Sequence, residues 1–442
     1  MPSETVGTLI IGGGQAGLAM SEQLTKRGLP HLVFERHRIA ERWRTERWDG
    51  LHANGPAWHD RLPLFPIAGA DPNGFATRDQ MVAYFVAYTE RIAAPVRTGV
   101  TVTALRRKPD GTGFHAETSH GVIEATNVVA ATGPFQRGVI PPVVPPETGI
   151  LQLHSNAYRN PAQLPEGAVL VVGAGSSGAQ IANELARAGR RVYLSVGRHQ
   201  RPPRQYRGQD FCWWLGVLGI WELKIPDPST KHVTIAVSGA HGGQTIDFRR
   251  MAASGVTLLG RAMDVTANVM QFAPDLVANL AEGDASYLSM LDAADAYVER
   301  EGLDLPLEPT ARIAEPDPVC VTNPILHLDL AAADIASIVW ATGFALDFGW
   351  LECATFTERG TPIHQRGITE IPGLYVLGLS WLSCRASAFI FGAEHDATHL
   401  AEHIATLSPN QPSQAPAAEP PPILPAEAES AQGRQPPEHA SA

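Results

Sequence analysis

The chain has 442 residues, 44% of them apolar and 18% charged, with a net charge of −11 at neutral pH. That is the composition of an ordinary globular protein, long enough for two domains and a tail. The acidic balance, with no long basic block, argues against a nucleic-acid partner, and no run approaches the roughly 20 apolar residues of a membrane span.

The start, Met1-Pro2-Ser3-Glu4, enters an apolar run almost at once, so no signal peptide is expected. That run, Thr8-Leu9-Ile10-Ile11, ends in Gly12-Gly13-Gly14-Gln15-Ala16-Gly17 and passes into a helical pattern from Leu18 to Leu24. Strand, tight turn and helix in that order are what a dinucleotide-binding unit requires. Gly12 permits the turn, Gly14 lets the backbone approach a pyrophosphate, and Gly17 lets the helix pack on the strand. The helix N-terminus then offers unpaired N–H groups and a positive dipole end to the phosphates. A second strand, Leu32-Val33-Phe34, ends at Glu35, followed by Arg36. Glu35 stands roughly 20 residues downstream, where an acid binds ribose hydroxyls.

A loop rich in Arg and Trp follows, from Arg42 to Pro56. Trp43 and Trp48 are candidates to lie against a flat ring, and Arg44 to pair with phosphate. Thr77-Arg78-Asp79-Gln80 opens a helix with an apolar face of Met81, Val82, Phe85 and Tyr88. Strands are expected over Val100–Thr103, Gly113–Ala116 and Val128–Gly133, the last ending in Ala131-Thr132-Gly133. Pro141 to Pro146 suits neither helix nor central strand and marks a crossover.

The opening pattern then returns. Ala168-Val169-Leu170-Val171-Val172 leads into Gly173-Ala174-Gly175-Ser176-Ser177-Gly178, a helix, and a strand through Val192-Tyr193-Leu194. Where Glu35 stood in the first copy there is no acid; Arg198 follows, with Arg201 and Arg204 behind it. An acid there would repel a 2′-phosphate, whereas Arg can pair with it. The contrast assigns FAD to the first copy and NADPH to the second. Beyond it, Phe211–Trp221 is apolar all round and reads as buried helix, subunit contact or substrate-tunnel wall. Ile338–Phe344 repeats the strand-then-Ala-Thr-Gly pattern through Thr342 and Gly343, and Gly373–Leu379 is a further buried strand. Arg385 precedes the last helix, and from Ser408 the chain is a Pro/Ala-rich tail expected to be disordered. The four cysteines, Cys212, Cys320, Cys353 and Cys384, are scattered without a CxxC pair, as reduced thiols of a cytoplasmic protein would be.

The reading is an α/β chain with two Rossmann-like dinucleotide-binding domains, the NADP domain inserted into the FAD domain. Residues 1–160 and 334–407 form the FAD part, 161–333 the NADP part and 408–442 the tail.

Two dinucleotide patterns, an arginine patch after the second and two Ala-Thr-Gly strands together resemble the class B flavin-dependent monooxygenases. That group includes N- and S-oxygenases, auxin-forming monooxygenases and Baeyer–Villiger enzymes. Trp48–Pro56 is similar to the family's loop between flavin and substrate, and His154-Ser155-Asn156-Ala157-Tyr158-Arg159 resembles its H-S-x-x-Y-R segment. The Baeyer–Villiger pattern F-x-G-x-x-x-H is not matched, because Gly149 stands one residue too far from His154 and Glu147 replaces the Phe. The G-D and the redox cysteine pair of the disulfide reductases in the wider superfamily are also missing; Gly378-Leu379 stands instead.

The resemblance implies hydride transfer from NADPH to FAD and transfer of one O₂ oxygen to a small organic nucleophile through a C4a-(hydro)peroxyflavin. N- or S-oxygenation is the first expectation, with no metal involved. The alternatives are a Baeyer–Villiger enzyme, an NAD(P)H oxidase or reductase without oxygen transfer, or a non-enzymatic redox sensor. The implied FAD contacts are Gly12, Gly14, Gln15, Ala16, Gly17, Glu35 and Arg36, with Trp43, Arg44, Gly133 and Arg385. Those of NADPH are Gly173, Gly175, Ser176, Ser177, Gly178, Arg198 and Arg204, with Thr342 and Gly343 at the late strand. Asn54 is the implied catalytic residue, hydrogen-bonding near the oxygen that is transferred. The substrate pocket depends on which of Trp58, His59, Trp213, Trp214, Trp381 and Phe389 face the flavin. Oligomeric state is open, with a homodimer as one alternative.

Overall fold

A computed structural model describes residues 4–224 and 234–407; the tail expected to be disordered lies outside them. Two parallel sheets organise the chain. In the first, Glu4–Ile11 is flanked by His31–Glu35 on one side and Gly121–Ala130 on the other, with Val96–Thr98 and Leu374–Val376 beyond them, all parallel. A hairpin, Val102–Arg107 with Phe114–Thr118, branches antiparallel from Gly121–Ala130. The near-unbroken apolar runs in these strands follow from burial on both faces: Leu9, Ile10, Val33, Val128 and Val129 have no exposed surface.

The second sheet has the order Thr257–Leu259, Val192–Ser195, Ala168–Val172, Ile335–Trp340 and Leu151–His154, again all parallel. It therefore begins before residue 161 and takes a strand from beyond residue 333. Both boundary strands, Leu151–His154 and Ile335–Trp340, are short segments whose sequence fits either sheet; pairing, which is non-local, places them. The two crossovers between the sheets run side by side as a small antiparallel ribbon, Arg137–Gly138 with Phe344–Ala345.

The helix Arg78–Arg91 starts at a capping box. Thr77 Oγ1 accepts from Gln80 N–H, and Gln80 Oε1 accepts from Thr77 N–H. Its expected apolar residues Met81, Val82, Phe85 and Tyr88 are buried, joined by Tyr84. Thr77→Ala is expected to lower the unfolding free energy by about 1 kcal/mol, measured by denaturant titration. The apolar segment after Asp210 folds as the helix Phe211–Val217, capped by Asp210. Trp214 has no exposed surface and packs with Leu291, Ala294 and Val298 of the long helix Leu276–Glu301. Among the described residues no helix is long and apolar enough to cross a membrane.

Candidate active site

The two glycine motifs build nearly identical cradles. Gly14 and Gly175 are the N-caps of twelve-residue helices, Gln15–Lys26 and Ser176–Arg187, with φ/ψ of −83/−173° and −75/−177°. Neither cap uses a side chain, and neither first turn holds an acid, so the first N–H groups and the positive helix end are left for an anion. A Cβ on Gly17 would stand 1.8 Å from the Gly12 carbonyl oxygen, and one on Gly178 1.8 Å from that of Gly173. Gly12 and Gly173 are at φ +115° and +112°, and a Cβ there would strike the carbonyls of Ala131 and Ala341 at 2.6 and 2.5 Å. Each tight turn is thus pressed against the end of the neighbouring strand that carries Ala-Thr-Gly.

The cradles differ in what faces them. In the first, Gly13 N–H donates to Glu35 Oε2 at 2.9 Å and His37 N–H donates to Oε1 at 3.0 Å. The carboxylate is held at the strand end with lone pairs left for hydroxyl donors. Arg36 is exposed. Gln15 Nε2 donates to the Ala388 carbonyl at 3.3 Å, and a Cβ on Gly378 would touch Ala16 Cβ at 2.5 Å, so the segment before the last helix is laid against this cradle. Gly133 is braced by Gln136 Nε2, which donates to its carbonyl at 2.8 Å and to Thr132 Oγ1 at 2.9 Å.

In the second cradle, Arg198 projects into solvent and holds Glu282 through Nε and Nη2. An exposed arginine paired only with a carboxylate can exchange it for a phosphate. Ser176 Oγ donates to the Ile235 carbonyl and accepts from Val237 N–H, so it straps the chain beside the cradle. Ser177 is half-buried. Thr342 Oγ1 bonds the Val139 carbonyl, while the Gly343 carbonyl accepts from Val139 N–H and from His154 Nε2, fastening the crossover ribbon.

The structure gives Arg201 and Arg204 other work. Arg201 is buried against Asp284 and Asp247 and stacks 4.4 Å from the Tyr287 ring centroid. Arg204, 2% exposed, pairs with Asp210 at 2.5 Å and donates to the Asn54 carbonyl, its guanidinium 4.9 Å from the Phe75 ring. Their charges are satisfied inside the protein, so neither is presented at the strand end as Arg198 is. For Arg201 the reason is non-local, since Asp284 and Asp247 come from elements that the local sequence does not reveal. For Arg204 it is a short hairpin, Gln205–Tyr206 with Gln209–Asp210, that turns Asp210 back onto the guanidinium.

In the Arg/Trp loop, Trp48 is core, while Trp43 is half-buried 6.4 Å from Phe85. Arg47 lies 6.0 Å from the Trp43 ring and 5.9 Å from Phe135, and burial pulls its pKa down to about 10. Arg44 Nε donates to the Ile39 carbonyl at 3.5 Å and lines an open groove with Arg38 and Arg78.

Asn54 is exposed, and its Oδ1 accepts from Gln180 Nε2 at 2.9 Å. Gln180 belongs to the second cradle's helix and also donates to the Val237 carbonyl. The loop that carries Asn54 is therefore clasped to that helix. Of the aromatics considered for the pocket, Trp58, His59 and Phe389 come together with Trp221 and Phe391. Trp213 and Trp214 instead pack on Tyr297 of the long helix. Trp381 is held at φ +60°, a strained conformation for a bulky residue, in the segment against the first cradle. Arg385 follows it, half-buried, with burial lowering its pKa and its N–H donating to the Leu223 carbonyl. Asp60, Gln180, Trp221 and Phe391 carry no motif that would have marked them.

Among the described residues no group of three or more His, Cys, Asp or Glu is placed to hold a metal, and the four cysteines are unpaired.

Comparison with known proteins agrees with this geometry. The model of the pyridine nucleotide-disulphide oxidoreductase family matches residues 9–209, which span both cradles. An uncharacterised CzcO-like oxidoreductase of Geobacillus kaustophilus is 31% identical over 404 residues, 90% of this chain and 98% of the relative. The probable indole-3-pyruvate monooxygenase YUCCA4 of Arabidopsis thaliana is 29% identical over 407 residues, 90% of this chain and 89% of its own length. Among solved structures, the flavin-containing monooxygenase of Stenotrophomonas maltophilia aligns with a TM-score of 0.62 at 19% identity, covering 92% of this chain and 99% of its own, a likeness of fold. With two cradles of one design and a relative matched almost end to end, the chain belongs to the class B flavin-dependent monooxygenase family, enzymes that use a flavin and a pyridine nucleotide.

Proposed function

We propose that the protein is an FAD- and NADPH-dependent monooxygenase that transfers one oxygen atom of O₂ to nitrogen or sulfur of a small organic substrate. The observation that carries the cofactor assignment is the unequal pair of strand ends: a carboxylate held at Gly13 in one cradle, an exposed arginine in the other. Gly12, Gly14, Gln15, Ala16, Gly17 and Glu35 would hold the adenosine diphosphate half of FAD. The open space at Gly14, where a Cβ would meet nothing within 4 Å, fits a pyrophosphate. Gly173, Gly175, Ser177 and Gly178 would hold the pyrophosphate of NADPH, and Arg198 its 2′-phosphate. On this reading the second sheet and its helices form a nucleotide domain inserted in the flavin domain.

Bound flavin supplies the redox chemistry and the activation of O₂; the chain binds, orients and excludes water. The segment from Gly378 to Ala388, laid on the first cradle, would form a wall beside the flavin. Asn54, anchored through Gln180, would present its amide NH₂ toward the reacting centre, since its oxygen is already engaged. Heteroatom oxygenation is favoured over Baeyer–Villiger oxidation because Gly149 and Glu147 depart from the latter's pattern.

The test is NADPH consumption in air across a panel of amines and sulfides, read with product mass. Coupled consumption and a product carrying one added oxygen are expected; consumption without an oxygenated product from any substrate would overturn the reading. Arg198→Ala is expected to reduce the preference for NADPH over NADH by about tenfold, the loss of one charge-assisted pair worth about 1.5–3 kcal/mol in part. Unchanged KM values for both nucleotides would remove Arg198 from the site.

A further inference from the structure

His59 sits in a cage built by three separate segments. Its Nδ1 lies 2.8 Å from Asp60 Oδ1, and the other carboxylate oxygen, Oδ2, accepts from Gly55 N–H at 2.8 Å. Its ring stacks on Trp221 at 5.2 Å and meets Phe391 at 4.2 Å and Trp58 edge-on at 5.5 Å. Trp221 in turn meets Phe389 at 5.1 Å. The residue is 7% exposed, and Nε2 is buried with no hydrogen-bond partner among the described residues. Buried ring nitrogens ordinarily have partners, and leaving one bare costs free energy.

The cage is also joined to the first cradle. Its Phe389–Phe391 wall follows Ala388, whose carbonyl is bonded by Gln15 of the first cradle. Trp221 is joined to the same wall by the Ala386 N–H to Trp221 carbonyl bond. Phe391 separates the cage from an open groove of about 520 Å³ that it lines with Glu394, His395 and His399. Phe389 is 41% exposed and forms the outer edge of the cage, where its ring meets Trp221 and Phe391.

A carboxylate only accepts, so Asp60 fixes the Nδ1–H tautomer, and in the neutral ring Nε2 offers a lone pair. We infer that the cage is a substrate site for planar, largely apolar molecules bearing an N–H or O–H, and that His59 Nε2 accepts that hydrogen. Asp60 is the positioning residue that sets its polarity. This rests on the monooxygenase reading only in calling the occupant a substrate.

The experiment is calorimetric titration of the full-length, flavin-loaded, oxidised protein at mildly alkaline pH, without NADPH. The probes are 2-naphthol and 2-methoxynaphthalene, which share a ring system and differ in the O–H, and 2-acetylnaphthalene as an acceptor. Wild type is expected to bind 2-naphthol at least about tenfold more tightly than its methyl ether, and His59→Phe to bind the two alike. In Asp60→Asn the amide oxygen stays on Gly55 N–H and its NH₂ faces Nδ1, which moves the ring proton to Nε2. That variant is expected to prefer 2-acetylnaphthalene over 2-naphthol, a reversal that a merely structural defect does not produce. Equal affinities in wild type, a preference that survives in His59→Phe, or a shifted flavin spectrum in ligand-free His59→Phe would each overturn the inference. Because no turnover is involved, these outcomes are independent of whether oxygen transfer is demonstrated.

Discussion

Gly17→Ala is expected to yield a protein that no longer retains flavin, while Gly178→Ala stays yellow and loses nucleotide affinity. The two substitutions are chemically the same and geometrically matched, each placing a methyl group 1.8 Å from a carbonyl oxygen of its own turn. No rotamer relieves a Cβ clash, so the helix must withdraw from the strand. Overpacking of this kind costs about 1–3 kcal/mol, and it falls on the turn that meets the pyrophosphate. A loss of about tenfold or more in cofactor affinity follows in the cradle that is changed. Flavin absorbance per mole of purified protein reads the first effect, and the NADPH dissociation constant of the oxidised protein reads the second. If Gly178→Ala were the colourless variant, the cofactor order would be reversed.

Arg204→Met is expected to be the most destabilising of the single substitutions considered, by about 3–5 kcal/mol, because it strands a carboxylate in the interior. Arg204 is 2% exposed and Asp210 is mostly covered, with the Asn54 carbonyl as a further acceptor for the guanidinium. Methionine keeps most of the stem's volume, so the loss reports the charge rather than a cavity. Adding Asp210→Asn removes the stranded charge while its amide oxygen still caps the helix Phe211–Val217, and part of the stability should return. Denaturant midpoints of the two variants decide the matter; equal midpoints for Arg204→Met and wild type would show that the pair contributes nothing.

The features that were legible in the sequence are those whose cause is local. A strand, a turn too tight for a side chain and a helix follow one another within a dozen residues, and Gly12 to Gly17 fix them wherever the rest of the chain goes. The capped helix from Thr77 is legible for the same reason. Arg201 and Arg204 show the opposite case: in sequence they belong with Arg198, and only folding brings Asp284 and Asp247 to the first and the Asn54 carbonyl to the second. The boundary strand Ile335–Trp340 is likewise assigned by pairing with Leu151–His154 and Ala168–Val172, which no local pattern encodes. His59 was visible as one of several aromatics near the flavin loop. Its bare nitrogen emerged only once Trp221 and Phe391, distant in sequence, had closed around it.

The clasp of Asn54 on Gln180 has a thermodynamic corollary. The loop that bears Asn54 and His59 hangs from the helix whose N-terminus faces the second cradle, so the two sites share one mechanical element. To the extent that filling the second cradle shifts that helix, it changes the loop's affinity for its own ligand, and linkage requires the same factor in the reverse direction. Order of addition then leaves the ternary complex unchanged, while each ligand's dissociation constant carries the imprint of the other.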